Sequence, residues 1–229
     1  MTKFIPILLA LLYALAMYHF SVWRTLKTLN SQSHPLREPE IARLAERMAR
    51  ALDLPEIRVQ VYEIDPVNGL AAPDGRIFLT RGFLAKYRAG EVTAAEMASV
   101  IAHELGHVAL GHTRRRMIDF TGQNAVFMML SALLNRLLPG VGIWLARMIA
   151  TALAARLSRR DEHEADAYAS ALLVKAGIGT APQKSLFRKL EALTGAPGAG
   201  TPAWLLSHPK TAERIAAIEA REARWVQPG

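Results

Sequence analysis

Two histidines four residues apart, with a glutamate directly after the first, constrain this chain more than any other stretch: His103-Glu104-Leu105-Gly106-His107. Residues i and i+4 of a helix lie on one face, about one turn apart. Both imidazoles can then reach one metal ion at roughly 2.0–2.1 Å. Glu104 follows the first histidine, so its carboxylate can reach a water on that metal without binding it. This is the H-E-x-x-H arrangement of zinc hydrolases, in which the glutamate is the general base. The pattern demands a helix, and the flanks predict one. Thr93-Ala94-Ala95-Glu96 reads as a capping box. Met97 to Ala102 follow with apolar side chains at helical spacing. Gly111, with Arg114, Arg115 and Arg116 behind it, suits a helix C-terminus.

With 229 residues, 51% of them hydrophobic, the chain can hold one catalytic domain with a sizeable core plus a membranous segment. The absence of cysteine excludes a disulfide framework and a thiolate metal site. A net charge of +8 invites nucleic acid or anionic lipid as a partner. No stacked-aromatic pattern, zinc finger or recognition helix is present, so nucleic acid is set aside and lipid is expected.

Residues Phe4 to Trp23 form an apolar run of about one bilayer thickness. They predict an N-terminal transmembrane signal anchor over residues 1–24, with a cleaved signal peptide ending near Ala14-Leu15-Ala16 as the rival. Lys3 precedes the run while Arg24 and Lys27 follow it, which favours an inner-membrane protein with a cytoplasmic domain; cleavage would make it periplasmic. Residues 25–39 read as a polar linker, and residues 40–225 as the catalytic domain. In the latter, a helix spans about Glu40 to Leu54 on an apolar stripe of Ile41, Leu44, Ala45, Met48, Ala49 and Leu52. Ile57, Val59 and Val61 alternate with polar neighbours as a half-buried strand. Asn68-Gly69-Leu70-Ala71-Ala72 extends the sheet, and Pro73-Asp74-Gly75 turns into a returning strand, Arg76 to Thr80. Residues 123–157 predict an apolar helical hairpin around Pro139-Gly140 that dips into the membrane surface or shields the site; two buried core helices fit equally.

A two-histidine zinc site needs a third protein ligand and an open position for water. Ser158 to Ala169 predicts a new helix carrying four candidates: Glu162, His163, Glu164 and Asp166. Glu162 and Asp166 share a face, so one can ligate while the other orients a ligand. His208, held extended before Pro209, can project towards the metal or be a plain loop residue. His112 falls one residue short of the third histidine of the long metzincin motif and reads as structural.

These separated stretches resemble the HtpX-like and CaaX-prenyl-protease-like zinc metallopeptidases, a membrane-associated branch of the gluzincins, over roughly residues 40 to 220. In that family the third ligand is the glutamate of an E-x-x-x-D motif near a serine-arginine pair. Here that motif is Glu162-His163-Glu164-Ala165-Asp166 after Ser158-Arg159. The resemblance implies Glu162 as the ligand and Asp166 as its outer support. It also implies one Zn²⁺, and a substrate-pairing edge strand at Asn68, Gly69, Leu70 and Ala71. Gly69 departs from the alanine common there. Ser207-His208-Pro209 with Arg214 is similar to the family's late His-Pro segment, which implies His208 as a gating ligand or hydrogen-bond donor to the transition state.

The expected fold is α+β and mostly helical, a zincin-like domain with a small antiparallel sheet behind the anchor. The expected activity is zinc-dependent endopeptidase action on unfolded or membrane-associated polypeptides. The rival is a membrane-tethered, chaperone-like binding module with a vestigial metal site. No residue pattern fixes the oligomeric state.

Overall fold

The computed structural model describes residues 5–112, 115, 127–128, 130–194, 208 and 211–226. The expectations placed on Ser207, Pro209, the loop at 195–200 and parts of 123–157 fall outside those residues. The elements in chain order are α1 (Ile5–Ser31), β1 (Ser33–Pro35), α2 (Pro39–Ala51), β2 (Val59–Tyr62), β3 (Gly69–Ala71) and β4 (Ile77–Thr80). They continue with α3 (Arg81–Arg88), α4 (Ala94–Ala109), α5 (Gly142–Lys175), α6 (Ala181–Thr194) and α7 (Thr211–Val226).

Helix α4 is the axis of the domain. Thr93 caps it: its hydroxyl accepts from the Glu96 amide at 3.2 Å, and the Glu96 carboxylate accepts from the Thr93 amide at 2.7 Å. Every residue from Glu96 to His107 is buried. Helices α2, α5 and α6 and the sheet surround it, with Met48, Leu79, Phe83, Ile101, Leu173 and Phe187 in one apolar core. Gly111 takes φ +71° and ends the run, as its position predicts.

The sheet is mixed, which corrects the antiparallel expectation. Its order is β1-β2-β4-β3, with β2 and β4 parallel and both outer pairs antiparallel. The Pro73-Asp74-Gly75 turn does return the chain antiparallel to β3. The returning strand, not β3, then fills the centre beside β2. Its four residues, Ile77 to Thr80, are all fully buried, whereas β2 alternates buried and half-buried. A continuous apolar run is what a central strand requires.

Two N-terminal expectations also change. Residues 25–39 are not a linker: Thr25 to Ser31 complete α1, and Ser33–Pro35 pair with β2. The physical reason is docking, because Leu29 packs with Ala72 and Phe78. Among the described residues no helix is long and apolar enough to cross a membrane, so the spanning helix expected over 1–24 is not supported. Tyr13, Tyr18, His19 and Ser21 interrupt the apolar character of α1. Finally, the helix expected to start at Ser158 starts at Gly142. It runs 34 residues without a break, through Ser158 and on to Lys175.

Candidate metal centre

Helices α4 and α5 build the centre, and Gly106 lets them meet. A Cβ at that position would lie 3.0 Å from the Ala165 carbonyl oxygen and 3.1 Å from its Cα. With only hydrogen there, the backbones approach closely enough for Glu162 to reach both motif histidines. Its Oε2 lies 3.3 Å from His103 Nε2, and its Oε1 lies 3.4 Å from His107 Nε2. The two Nε2 atoms stand 3.1 Å apart. Four donors at 2.0–2.1 Å from one ion in a tetrahedron sit about 3.4 Å from one another. The observed spacings match that figure, so the three side chains fit a zinc ion.

His208 joins the same set. Its Nδ1 is 2.6 Å from Glu162 Oε2 and 3.3 Å from His103 Nε2. The four residues form a buried group with one donor atom each within 4.8 Å of the rest. Glu104 stands at the edge of this group. Its Oε1 is buried without a hydrogen-bond partner; His208 Nε2, the nearest cationic candidate, is 3.5 Å away. A buried carboxylate oxygen left unpaired is costly unless something else occupies it.

Behind the donors the two motif histidines are held differently. His103 Nδ1 meets Asp166 Oδ1 at 2.9 Å. Arg214 clamps that carboxylate, Nε to Oδ2 at 2.6 Å and Nη2 to Oδ1 at 2.7 Å. The guanidinium also lies over the Phe187 ring and donates to the His208 carbonyl oxygen at 3.2 Å. Thus one buried arginine from α7 ties the outer support to the His208 backbone. His107 Nδ1 instead faces His112 Nδ1 at 3.0 Å, and His112 Nε2 meets Glu164 Oε2 at 3.1 Å. If His107 Nε2 is to carry a metal, its Nδ1 must bear the hydrogen and donate to His112. His112 then donates from Nε2 to Glu164. His112, read from the sequence as structural, thus packs directly behind His107.

The charges follow this geometry. Burial would push the His103 imidazole down, but Asp166 and Glu162 outweigh it and raise its pKa to about 9. Burial pushes His107 below its ordinary value. Burial opposes ionisation of Glu162, yet hydrogen bonds from His103, His107 and His208 hold its carboxyl far below the usual range. Asp166, opposed by the same burial, is held low chiefly by the charge of Arg214. The interior thus keeps two carboxylates ionised and favours a cation between the donors.

Of the remaining sequence candidates, His163 is half-buried and its carbonyl accepts from Arg221. Glu164 pairs with His112 and Arg160 rather than with the donor group. Strand β3 is an outer strand and lies against α4. A Cβ on Gly69 would stand 2.5 Å from Val100 Cγ1 and 3.7 Å from Glu104 Cγ, so a larger residue there would force Val100 to shift. Asn68 binds Thr80 through its backbone, and its side-chain oxygen accepts from the Gly69 amide.

Comparisons with known proteins point to one family. The model of peptidase family M48 matches residues 35–222. The chain is 30% identical over 188 residues to metalloprotease YcaL of Escherichia coli (strain K12), covering 80% of this chain and 69% of the relative. It is 30% identical over 186 residues to metalloprotease LoiP of the same organism, covering 78% and 68%. A protease HtpX homolog from Acidiphilium cryptum (strain JF-5) is 30% identical over 151 residues, covering 58% and 51%. A donor set suited to zinc, inside a match that spans most of the sequence, makes this chain a member of peptidase family M48 and a zinc metallopeptidase.

Proposed function

We propose that His103, His107 and Glu162 hold the catalytic Zn²⁺, that Glu104 is the general base, and that Asp166 supports His103 from outside. The observation that carries this reading is the convergence of three donor atoms from α4 and α5 beside an unpaired Glu104 oxygen. When bound, zinc polarises the scissile carbonyl and lowers the pKa of water in its open position towards about 7. Glu104 takes the proton from the attacking water and passes it to the leaving amine. His208 rests against Glu162 and, displaced by substrate, donates a hydrogen bond to the developing oxyanion. Residues 40–225 carry the catalytic chemistry, with β1 completing their sheet. The substrate is an unfolded or membrane-associated polypeptide that adds as a further strand along Asn68 to Ala71, the open edge of the sheet. Contact with the membrane is made at its surface, through the apolar residues of α1 and of 123–157.

Glu104→Gln tests the assignment. The variant retains zinc and its melting temperature but loses casein cleavage by at least about a hundredfold. Cleavage at the wild-type rate removes Glu104 from the role of base. Wild-type protein that binds zinc but cleaves nothing, with or without a chelator, instead favours the chaperone-like module.

A further inference from the structure

One outward-facing apolar surface lies far along α5 from the metal centre. Residues 130–137 are helical, 138–141 turn, and α5 begins at Gly142. Around this tip Leu137, Val141, Ile143 and Trp144 are each more than half exposed, at 65%, 55%, 53% and 63%. Leu138 and Met148 add to the patch at 49% each. Contiguous apolar surface of this kind on a protein marks a place where something other than water belongs.

Charge identifies the occupant. Residues 121–160 contain Arg136, Arg147, Arg156, Arg159 and Arg160 and no acidic residue. Residues 1–37 contain Lys3, Arg24, Lys27 and Arg37 and again no acidic residue. These nine cations exceed the whole net charge of +8, because the other 19 basic residues are matched by 20 acidic ones. The excess is therefore confined to the two segments that also expose apolar side chains. A second copy of the chain docked tip to tip would bring Arg136 and Arg147 against the same two cations of its partner. An acidic groove on a protein would satisfy the arginines but not a tip of leucine, valine, isoleucine and tryptophan. An anionic bilayer satisfies both, with phosphates for the cations and the acyl boundary for the apolar tip. Arg136 and Arg147, both exposed, flank the tip one or two turns from its end. There they reach headgroups while Trp144 sits at the interface, where tryptophan is favoured.

We propose that the 133–149 tip is a lipid-reading element that inserts into the headgroup region of anionic membranes. This deepens the membrane contact proposed above and is independent of the peptide chemistry. The absence of cysteine provides the test. Val141→Cys and, as a control on the sheet side, Asp65→Cys are labelled in the full zinc-loaded chain with an environment-sensitive fluorophore. They are mixed with vesicles of phosphatidylcholine alone or with phosphatidylglycerol. The label at 141 shifts to the blue with the anionic vesicles only, and the label at 65 does not shift. Arg136→Gln with Arg147→Gln weakens that binding about 30-fold, at roughly fivefold per cation. A label at 141 that stays in water overturns the proposal. So does equal response to both lipids, or a shift that follows protein concentration without lipid, which would make a second copy the occupant. Casein cleavage, measured on the same samples, reports separately on the metal centre.

Discussion

The two histidines of one helix turn are supported in opposite ways. His103 leans directly on a carboxylate, Asp166, which is itself fully buried and clamped by Arg214. His107 leans on another imidazole, His112, which reaches carboxylates nearer the surface: Glu164 at 3.1 Å and Asp161 at 3.6 Å. Arg160 and Arg115 face those carboxylates from the solvent side. The first arrangement is charged and dry, and each member depends on the next. The second runs through another imidazole to ion pairs that face solvent. One imidazole is thus fixed by electrostatics and the other by hydrogen-bond direction.

Breaking the dry side has the largest effect. Arg214→Ala strips Asp166 of its guanidinium and leaves it only His103 as a partner in the interior, and should cost about 3–5 kcal/mol in a denaturant titration. Asp166→Ala removes the carboxylate itself and weakens zinc binding about 10- to 100-fold, read by competition with a chromophoric chelator. His112→Ala costs less, about 1–3 kcal/mol for the stranded donor on His107, with zinc affinity falling towards the lower end of the same range. Glu164→Gln, at the wet end, changes stability by less than about 1 kcal/mol. An equal loss for His112→Ala and Asp166→Ala would erase the contrast between the two sides.

Proton binding sharpens the comparison in chelated protein. The His103 pKa is raised to about 9, above an unfolded value of about 6.5. Its contribution to stability is therefore fully present below about pH 6.5 and is lost as pH rises through about 9. His107 is shifted down, so folding favours its neutral form, and its contribution has the opposite sign, lost as pH falls. Imidazole chemical shifts followed from pH 5 to 10 should show one ring titrating late and the other early.

The chemistry on α4 was readable because every clue is local: a cap, an apolar run, and two histidines one turn apart. Glu162 was narrowed to a charged cluster by spacing and selected by resemblance, since four adjacent polar residues on a helix differ only in where they point. The contact of His112 with His107 was not readable because His112 follows Gly111, whose left-handed backbone breaks helical phase, so i+5 does not imply a shared face. A histidine just past the stop of a metal-binding helix is the clue that would have found it. The parallel pairing of β2 with β4 was not readable for a different reason. Hairpin chemistry at Pro73-Gly75 specifies the partner of β3 but says nothing about which strand lies next to β2. Strand β1 is three residues long, ends in proline, and is held by its neighbour rather than by any pattern of its own.

Helix α5 carries Trp144 near one end and Glu162 in its second half, with no proline between them. At 1.5 Å per residue that is about 27 Å of continuous rod. Whatever seized the far end of such a beam would also bias the tilt and depth of the carboxylate it carries, nearly three nanometres away.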